Sequence, residues 1–260
     1  MADDLVRKLI PRLGKVTHEE RVAIARRISK RVVRKYGKDI LAVYVCGSTS
    51  KNLDRPFSDL EMIVVVRDGI EIPMKYYLHN GLIIQVDYLQ SSSVLRAAKR
   101  FTDNWHMEAD QYRNRISLFE RNRWFGSLDE AVAKNEKTDA QEIIRKSLLM
   151  MTESRAVLKN AVLAKDKIGI FSSARVIAED AARIVFFLNR TYVPTTSWFW
   201  KIVFEAPKKP KNFRFLVEKI CGFTPTTPKE VVAGSEKLYG EICELIGAER
   251  REIERADLWV

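Results

Sequence analysis

The sequence predicts an α+β protein: a mixed-sheet α/β domain over residues 1–125, then a helical-bundle domain over residues 126–260. Two observations carry that prediction. In the first region, short β-branched runs closed by glycine alternate with a helical stretch, the pattern of strands and helices packed in layers. In the second, long apolar periodicity runs on with few Gly or Pro breakers, the texture of packed helices. A chain of 260 residues can give each region a core of its own.

The first helix is signalled by Thr17 and Glu20 at capping-box spacing, with Val22, Ala25, Ile28, Val32 and Val33 at helical intervals up to Gly37. Residues 40–45 are apolar and rich in β-branched types, and Gly47-Ser48 closes them, so they read as a buried strand. A polar stretch with Asn52, Asp54 and Pro56 leads to a second strand over residues 59–66. Gly69 and Pro73 punctuate the next segment, and another strand is expected over residues 82–89. Helices are expected over residues 140–165, 172–189, 197–204, 212–220 and 229–246. Pro194 should end the second of these, and proline-rich turns at 207–210 and 225–228 separate the last three. In the first of them Ile143, Leu148, Met151, Leu158 and Leu163 are the candidate core positions.

Composition narrows the class. Hydrophobic residues make up 46% of the chain, too many for a disordered one. Only 11 Gly and 8 Pro exclude collagenous and low-complexity readings. Apolar runs such as residues 62–66 and 184–188 fall far short of the roughly 20 residues a spanning helix needs. The N-terminus, Met-Ala-Asp-Asp and then basic, shows no secretory signal, so a soluble cytoplasmic protein without a membrane partner is expected. Three cysteines without a CxxC exclude a disulfide scaffold or a zinc ribbon. His18, His79 and His106 have no metal-ligand spacing.

Lys and Arg number 45 against 34 Asp and Glu, a net charge of +11 that favours polyanionic partners. Residues 1–39 alone hold twelve Lys and Arg, from Arg7 and Lys8 through Arg21 to Lys38, against five acids. This is either a solvated helix face or a nucleic-acid footprint.

The chemistry gathers between the first two strands. Gly47 follows a strand directly, which lets backbone approach a bulky anion, and Ser48 can donate N–H and O–H to phosphate oxygens. Asp59 and Glu61, two apart on a strand, face the same way, leaving Leu60, Ile63 and Val65 for the core. Two like charges 4 Å apart repel by about 4 kcal/mol at an effective dielectric near 20, and a hard cation such as Mg²⁺ carrying nucleotide phosphates relieves that. Asp87, in the next strand, either faces solvent or shares the site; as a third carboxylate it makes a pair of metals about 3.5–4 Å apart feasible. Lys51 is either a phosphate ligand or a solvated lysine. No Walker A pattern or kinase-type glycine loop occurs.

The stretches Thr17-His-Glu-Glu-Arg21, Lys35-Tyr-Gly-Lys-Asp39, Val43-Tyr-Val-Cys-Gly-Ser48 and Pro56-Phe-Ser-Asp-Leu-Glu-Met62 resemble the kanamycin nucleotidyltransferase family. That family lies in the DNA polymerase β nucleotidyltransferase superfamily, whose signature is Gly-Ser followed by Asp-x-Asp/Glu. Asn189-Arg-Thr-Tyr-Val-Pro-Thr-Thr-Ser197 resembles a stretch of the family's helical domain. The resemblance implies an enzyme that moves a nucleoside monophosphate from a Mg²⁺-bound NTP to an acceptor hydroxyl and releases pyrophosphate. It implies that Gly47 and Ser48 cradle phosphates and that Asp59 and Glu61, with Asp87 in third place, hold the metal. It also implies a homodimer whose active site the partner's helical domain completes.

The pattern departs at the catalytic base. The family carries a Glu four residues before a nucleotide-contacting Lys; Lys159 matches the Lys, but Arg155 stands where the Glu should be. Glu153 is the nearest carboxylate, and six residues at 100° each set it about 120° around the helix from Lys159. Glu153 is the candidate base and Lys159 the candidate phosphate ligand, each against an exposed helical residue. The acceptor stays open among an aminoglycoside, a nucleic-acid 3′ end, a metabolite and a protein hydroxyl. A net charge of +11 is poorly suited to attracting a polycation. The rival reading is a catalytically silent nucleotide fold that binds RNA or another polyanion through its basic N-terminal helix.

Overall fold

The computed structural model describes residues 12–247, so Arg7 and Lys8 of the basic stretch lie outside the described residues. The chain divides into two compact units. Among the described residues the first comprises residues 12–101 and 107–138, the second residues 102–106 and 139–247.

The first unit is built on a five-stranded mixed sheet: β1 Ile40–Val45, β2 Leu60–Val66, β3 Lys75–His79, β4 Leu82–Gln90 and β5 Ile116–Glu120, in the spatial order β3-β4-β2-β1-β5. β2 and β4 run parallel, and the other neighbours are antiparallel. Helix α1, His18–Tyr36, starts on the Thr17–Glu20 capping box read from the sequence and ends at Gly37. Its Ala25 and Val32 pack on Val43, Val45, Leu60, Met62, Val64, Ile84 and Val86, one face of the sheet. Helices α2, Ser91–Lys99, α3, Trp105–Arg113, and α4, Trp124–Asn135, follow. On the opposite face Tyr44 of β1 meets Phe125 of α4 edge to face, with ring centroids 5.7 Å apart. Trp124 donates its indole N–H to Ser91 Oγ at 2.8 Å, tying α4 to α2.

Because both faces are covered, Leu60 serves the α1 side while Ile63 and Val65 serve the other, and all three are buried. The expected division, with carboxylates on one face and Leu60, Ile63 and Val65 together in the core, therefore gives way to two cores. Strand β3 is fully exposed and β5 partly so, hence neither shows the apolar run that reveals a central strand. The sequence does carry one cue for β3: Asn80-Gly81, both at positive φ, closes the β3–β4 hairpin.

The second unit holds α5 Gln141–Leu163, α6 Lys167–Asn189, α7 Phe199–Glu205, α8 Phe213–Ile220 and α9 Pro228–Ile246. α6 is its axis, buried from Ile170 to Phe187 at the positions that meet its neighbours. It ends at Asn189 with Arg190 in the left-handed region, five residues ahead of Pro194, the proline expected to stop it. On α5, Leu148, Met151 and Leu158 are buried as expected, but Ile144 replaces Ile143, and Leu163 is 82% exposed at the last turn. α9 begins on a second capping box, Thr227 with Glu230, and has Pro228 at its first position.

His106 is a core residue of this unit. Its ring stacks on Phe186 at 5.2 Å and meets Phe187 and Phe199 edge-on, while its carbonyl accepts from Val193 N at 2.8 Å. Burial, reinforced by the nearby Arg183 charge, pushes its pKa down from 6.5 to about 4. Between these values the unfolded chain takes up a proton that the folded chain refuses. Stability from this group is therefore intact above pH 6.5 and lost as the pH falls toward 4, by on the order of 3 kcal/mol. Urea titrations of the wild type and His106→Leu at pH 7 and pH 4.5 check this. The wild type should lose more stability than the variant over that interval.

Candidate active site

The site forms where β1 ends and β2 begins. Cys46 continues β1 by donating its N–H to the Glu61 carbonyl at 3.1 Å, which sets the Gly47 turn beside Glu61. Gly47 adopts φ +66°, and a Cβ there would lie 1.8 Å from Glu61 Oε2. The glycine is needed twice: for its backbone conformation and for the carboxylate seated against its Cα. Ser48 opens a single 3₁₀ turn, Thr49–Lys51; its carbonyl accepts from Lys51 N and Leu53 N at 3.3 and 3.0 Å, and Ser50 Oγ donates to the Gly47 carbonyl at 2.9 Å. Thr49 is buried with its hydroxyl unpartnered among the described residues.

The Gly47→Ala variant follows from this geometry. The flexible Glu61 side chain can swing away from a methyl, so the protein should fold, at a cost of about 1–2 kcal/mol for the left-handed backbone. Urea unfolding of the variant beside the wild type checks that cost.

Asp59 immediately precedes β2 and Glu61 is its second residue; both are partly buried. In the parallel β2–β4 register Glu61 lies beside Gln85 and Ile63 beside Asp87, so Asp87 shares the face of Glu61 one step along the sheet. Gln85 Nε2 donates to Asp87 Oδ2 at 2.8 Å. Lys51 pairs with Asp110 of α3, which also accepts from Asn114 Nδ2 at 2.8 Å. Asp110 lies 59 residues from Lys51, and no local sequence pattern marks it.

Electrostatically the site is an acidic cluster. Burial raises the Glu61 pKa, the Asp59 charge raises it further, and Asp87 and Asp110 add to this while Lys51 opposes it. The Cys46 thiol is pushed up by burial and by Glu61. Among the described residues no hydrogen bond or ion pair reaches the Glu61 carboxylate, and no three His, Cys, Asp or Glu side chains are gathered into a complete metal site. The donor set is all oxygen, partly buried and short of positive charge. It fits a Mg²⁺ ion of the usual kind, held by one or two carboxylates with water and phosphate oxygens supplying the rest.

Behind the site stands a buried ion pair. Arg21 of α1 is fully buried and pairs with Asp54, while its Nη2 donates to the carbonyls of Val16, Arg55 and Ser58 at 3.2, 3.1 and 3.0 Å. His18 Nδ1 lies 2.8 Å from the other Asp54 oxygen. These bonds pin the loop that delivers Asp59. Arg21, counted from the sequence with the basic helix face, is thus an internal strut.

Glu153 and Lys159 belong to the second unit and stand exposed on α5. Arg155, in the position where the resemblance expects a base, pairs with Glu236 at 2.7 Å and lies over the Tyr239 ring.

A mixed sheet carrying Gly-Ser and Asp-x-Glu at adjoining strand ends, followed by a helical unit, is a nucleotidyltransferase fold. Comparison with known proteins agrees. Over 127 residues, 49% of the chain, it is 24% identical to an aminoglycoside nucleotidyltransferase (4') from a Bacillus species, and over 126 residues 25% identical to one from Staphylococcus aureus. The chain spans about half the length of these curated relatives, 49% of each. The crystal structure of a nucleotidyltransferase-like protein from Exiguobacterium sibiricum shares the fold, with a TM-score of 0.52 over 89% of this chain and 81% of that one at 14% identity. No family model matches the chain. Among the described residues no helix is long and apolar enough to cross a membrane.

Proposed function

We propose that the protein is a Mg²⁺-dependent nucleotidyltransferase that moves a nucleoside monophosphate from an NTP to an acceptor hydroxyl and releases pyrophosphate. One observation carries this reading: the Glu61 carboxylate, partly buried beside Asp59 and held against Gly47 without a partner among the described residues, is built to receive a cation. Asp59 and Glu61 would hold the ion, with Asp87 as third carboxylate making a second ion feasible. Bound there, the metal supplies neutralisation of phosphate charge. Gly47 and Ser48 offer backbone and hydroxyl donors to the outer phosphates, and Lys51, anchored by Asp110, adds positive charge beside them. The acceptor oxygen forms a bond to the α-phosphorus as the bond to the pyrophosphate oxygen breaks, and Glu153 takes the acceptor proton. Lys159 assists at the phosphates. Beyond that one proton transfer, the protein contributes positioning and charge neutralisation, as phosphoryl chemistry requires.

The +11 net charge works against a polycationic acceptor and favours a neutral or anionic one. A cytoplasmic homodimer, with the partner's helical unit completing the site, is the assembly this reading expects; sedimentation as a monomer at working concentration would count against it. Calorimetry with ATP, GTP, CTP and UTP, with and without Mg²⁺, is the primary test. Metal-dependent binding of at least one NTP is expected, and an acceptor screen with labelled NTP would follow. Absence of binding by every NTP to folded protein would overturn the proposal. The role of Glu153 is separable: Glu153→Gln should lower turnover while leaving NTP affinity unchanged.

A further inference from the structure

A groove runs between α1 and the β3–β4 hairpin, on the face of the sheet opposite to the carboxylates. It consists of two adjoining depressions of 490 and 230 Å³ that share Ile24, Arg27 and His79. Along α1, Ile24, Arg27, Ile28 and Arg31 follow one another at helical spacing, so isoleucines line the floor and guanidinium groups the rim. Across the groove stand Tyr77, 42% exposed, and Ile84. Lys15 adds a third fixed positive charge at one end.

The cations of the molecule fall into paired and unpaired groups. Arg115, Arg145, Arg175, Arg183 and Arg214 each pair with a carboxylate. Lys15, Arg27 and Arg31 have none among the described residues. Glu20, which accepts from Thr17 N at 2.8 Å in the capping box, is the one acid lining the groove and leaves the cations in excess. Uncompensated charge along an open groove matches a run of phosphates. An apolar floor with an exposed tyrosine beside it offers a face for an unpaired base, which a duplex keeps hidden and an acidic peptide does not need.

We propose that this groove binds single-stranded nucleic acid, with Arg27, Arg31 and Lys15 on the phosphates and Tyr77 against a base. The site is separate from the transferase centre, and the inference stands independently of the transferase reading.

Fluorescence anisotropy of the full chain with fluorescein-labelled dT₁₂ and rA₁₂ tests it. Three phosphate contacts on a single strand predict that log Kd rises with log salt with a slope of about 2. Arg27→Ala with Arg31→Ala should weaken binding at least tenfold and lower the slope by about 1.4, whereas Arg27→Lys with Arg31→Lys should keep the slope. Tyr77→Ala should weaken binding about tenfold with the slope unchanged, because stacking releases no counterion. Arg175→Ala, on an exposed pair in the second unit, should change nothing. Three results would overturn the proposal: no binding at low salt, equal binding of a duplex or of polyglutamate, or a salt slope indifferent to Arg27 and Arg31.

Discussion

Asp59→Asn combined with Glu61→Gln is expected to abolish magnesium-dependent nucleotide binding and to cut turnover by at least about 10²-fold, the scale of losing one preorganised electrostatic group. Stability should move the other way. Burial and the Asp59 charge raise the Glu61 pKa above its ordinary 4.5, so folding favours its protonated form. The group's contribution is most favourable below pH 4.5 and is lost as the pH rises through the raised folded value; at neutral pH the ionised carboxylate destabilises the fold. The neutral amides remove that repulsion, so the double variant should be at least as stable as the wild type at pH 7. Its stability should also respond less to acidification. Chemical denaturation at pH 4.5 and 7 beside calorimetry with an NTP checks both halves. A variant that unfolds more easily at pH 7, or one that still binds Mg²⁺-NTP, would contradict the assignment of these carboxylates.

The largest effect on stability is expected from Arg21→Met. The side chains of Arg21 and Asp54 are both fully excluded from solvent, and removing one partner leaves the other's charge buried. Three carbonyls would also lose a shared donor. A loss of about 3–5 kcal/mol is expected, a large fraction of the stability of any single domain. Asp54→Leu added to Arg21→Met should recover a good part of it, since an apolar pair of similar volume avoids the desolvation cost. Because the same bonds hold the loop that ends at Asp59, the single variant should also lose nucleotide affinity under conditions where it remains folded. A urea midpoint that shifts by less than about 1 kcal/mol equivalent would show that Asp54 finds water or His18 sufficient.

Much of this protein was legible from short-range pattern. The Thr17–Glu20 box, the β-branched run Ile40–Val45, the Gly47-Ser48 turn and the Asp59-x-Glu61 alternation all express their meaning within a few residues. Capping, strand periodicity and a glycine turn are local physics, so neighbours in sequence suffice to read them. Strands β3 and β5 escaped because exposed or half-exposed strands bury too little to leave an apolar run, although Asn80-Gly81 marked the hairpin.

Other features depend on partners far along the chain. Arg21 looked like one more cation on a basic helix until Asp54, 33 residues on, met it in the interior. Lys51 looked free until Asp110 of α3 came beside it, and Arg155 acquired its partner Glu236 from 81 residues away. The close seat of Glu61 on Gly47 arises from the antiparallel return of β2 along β1. Charge and glycine are ambiguous alone, since the same side chain is a solvated surface group or a buried strut according to what faces it. Residue type and spacing therefore carry the chemistry, while burial and long-range pairing assign each group its energy.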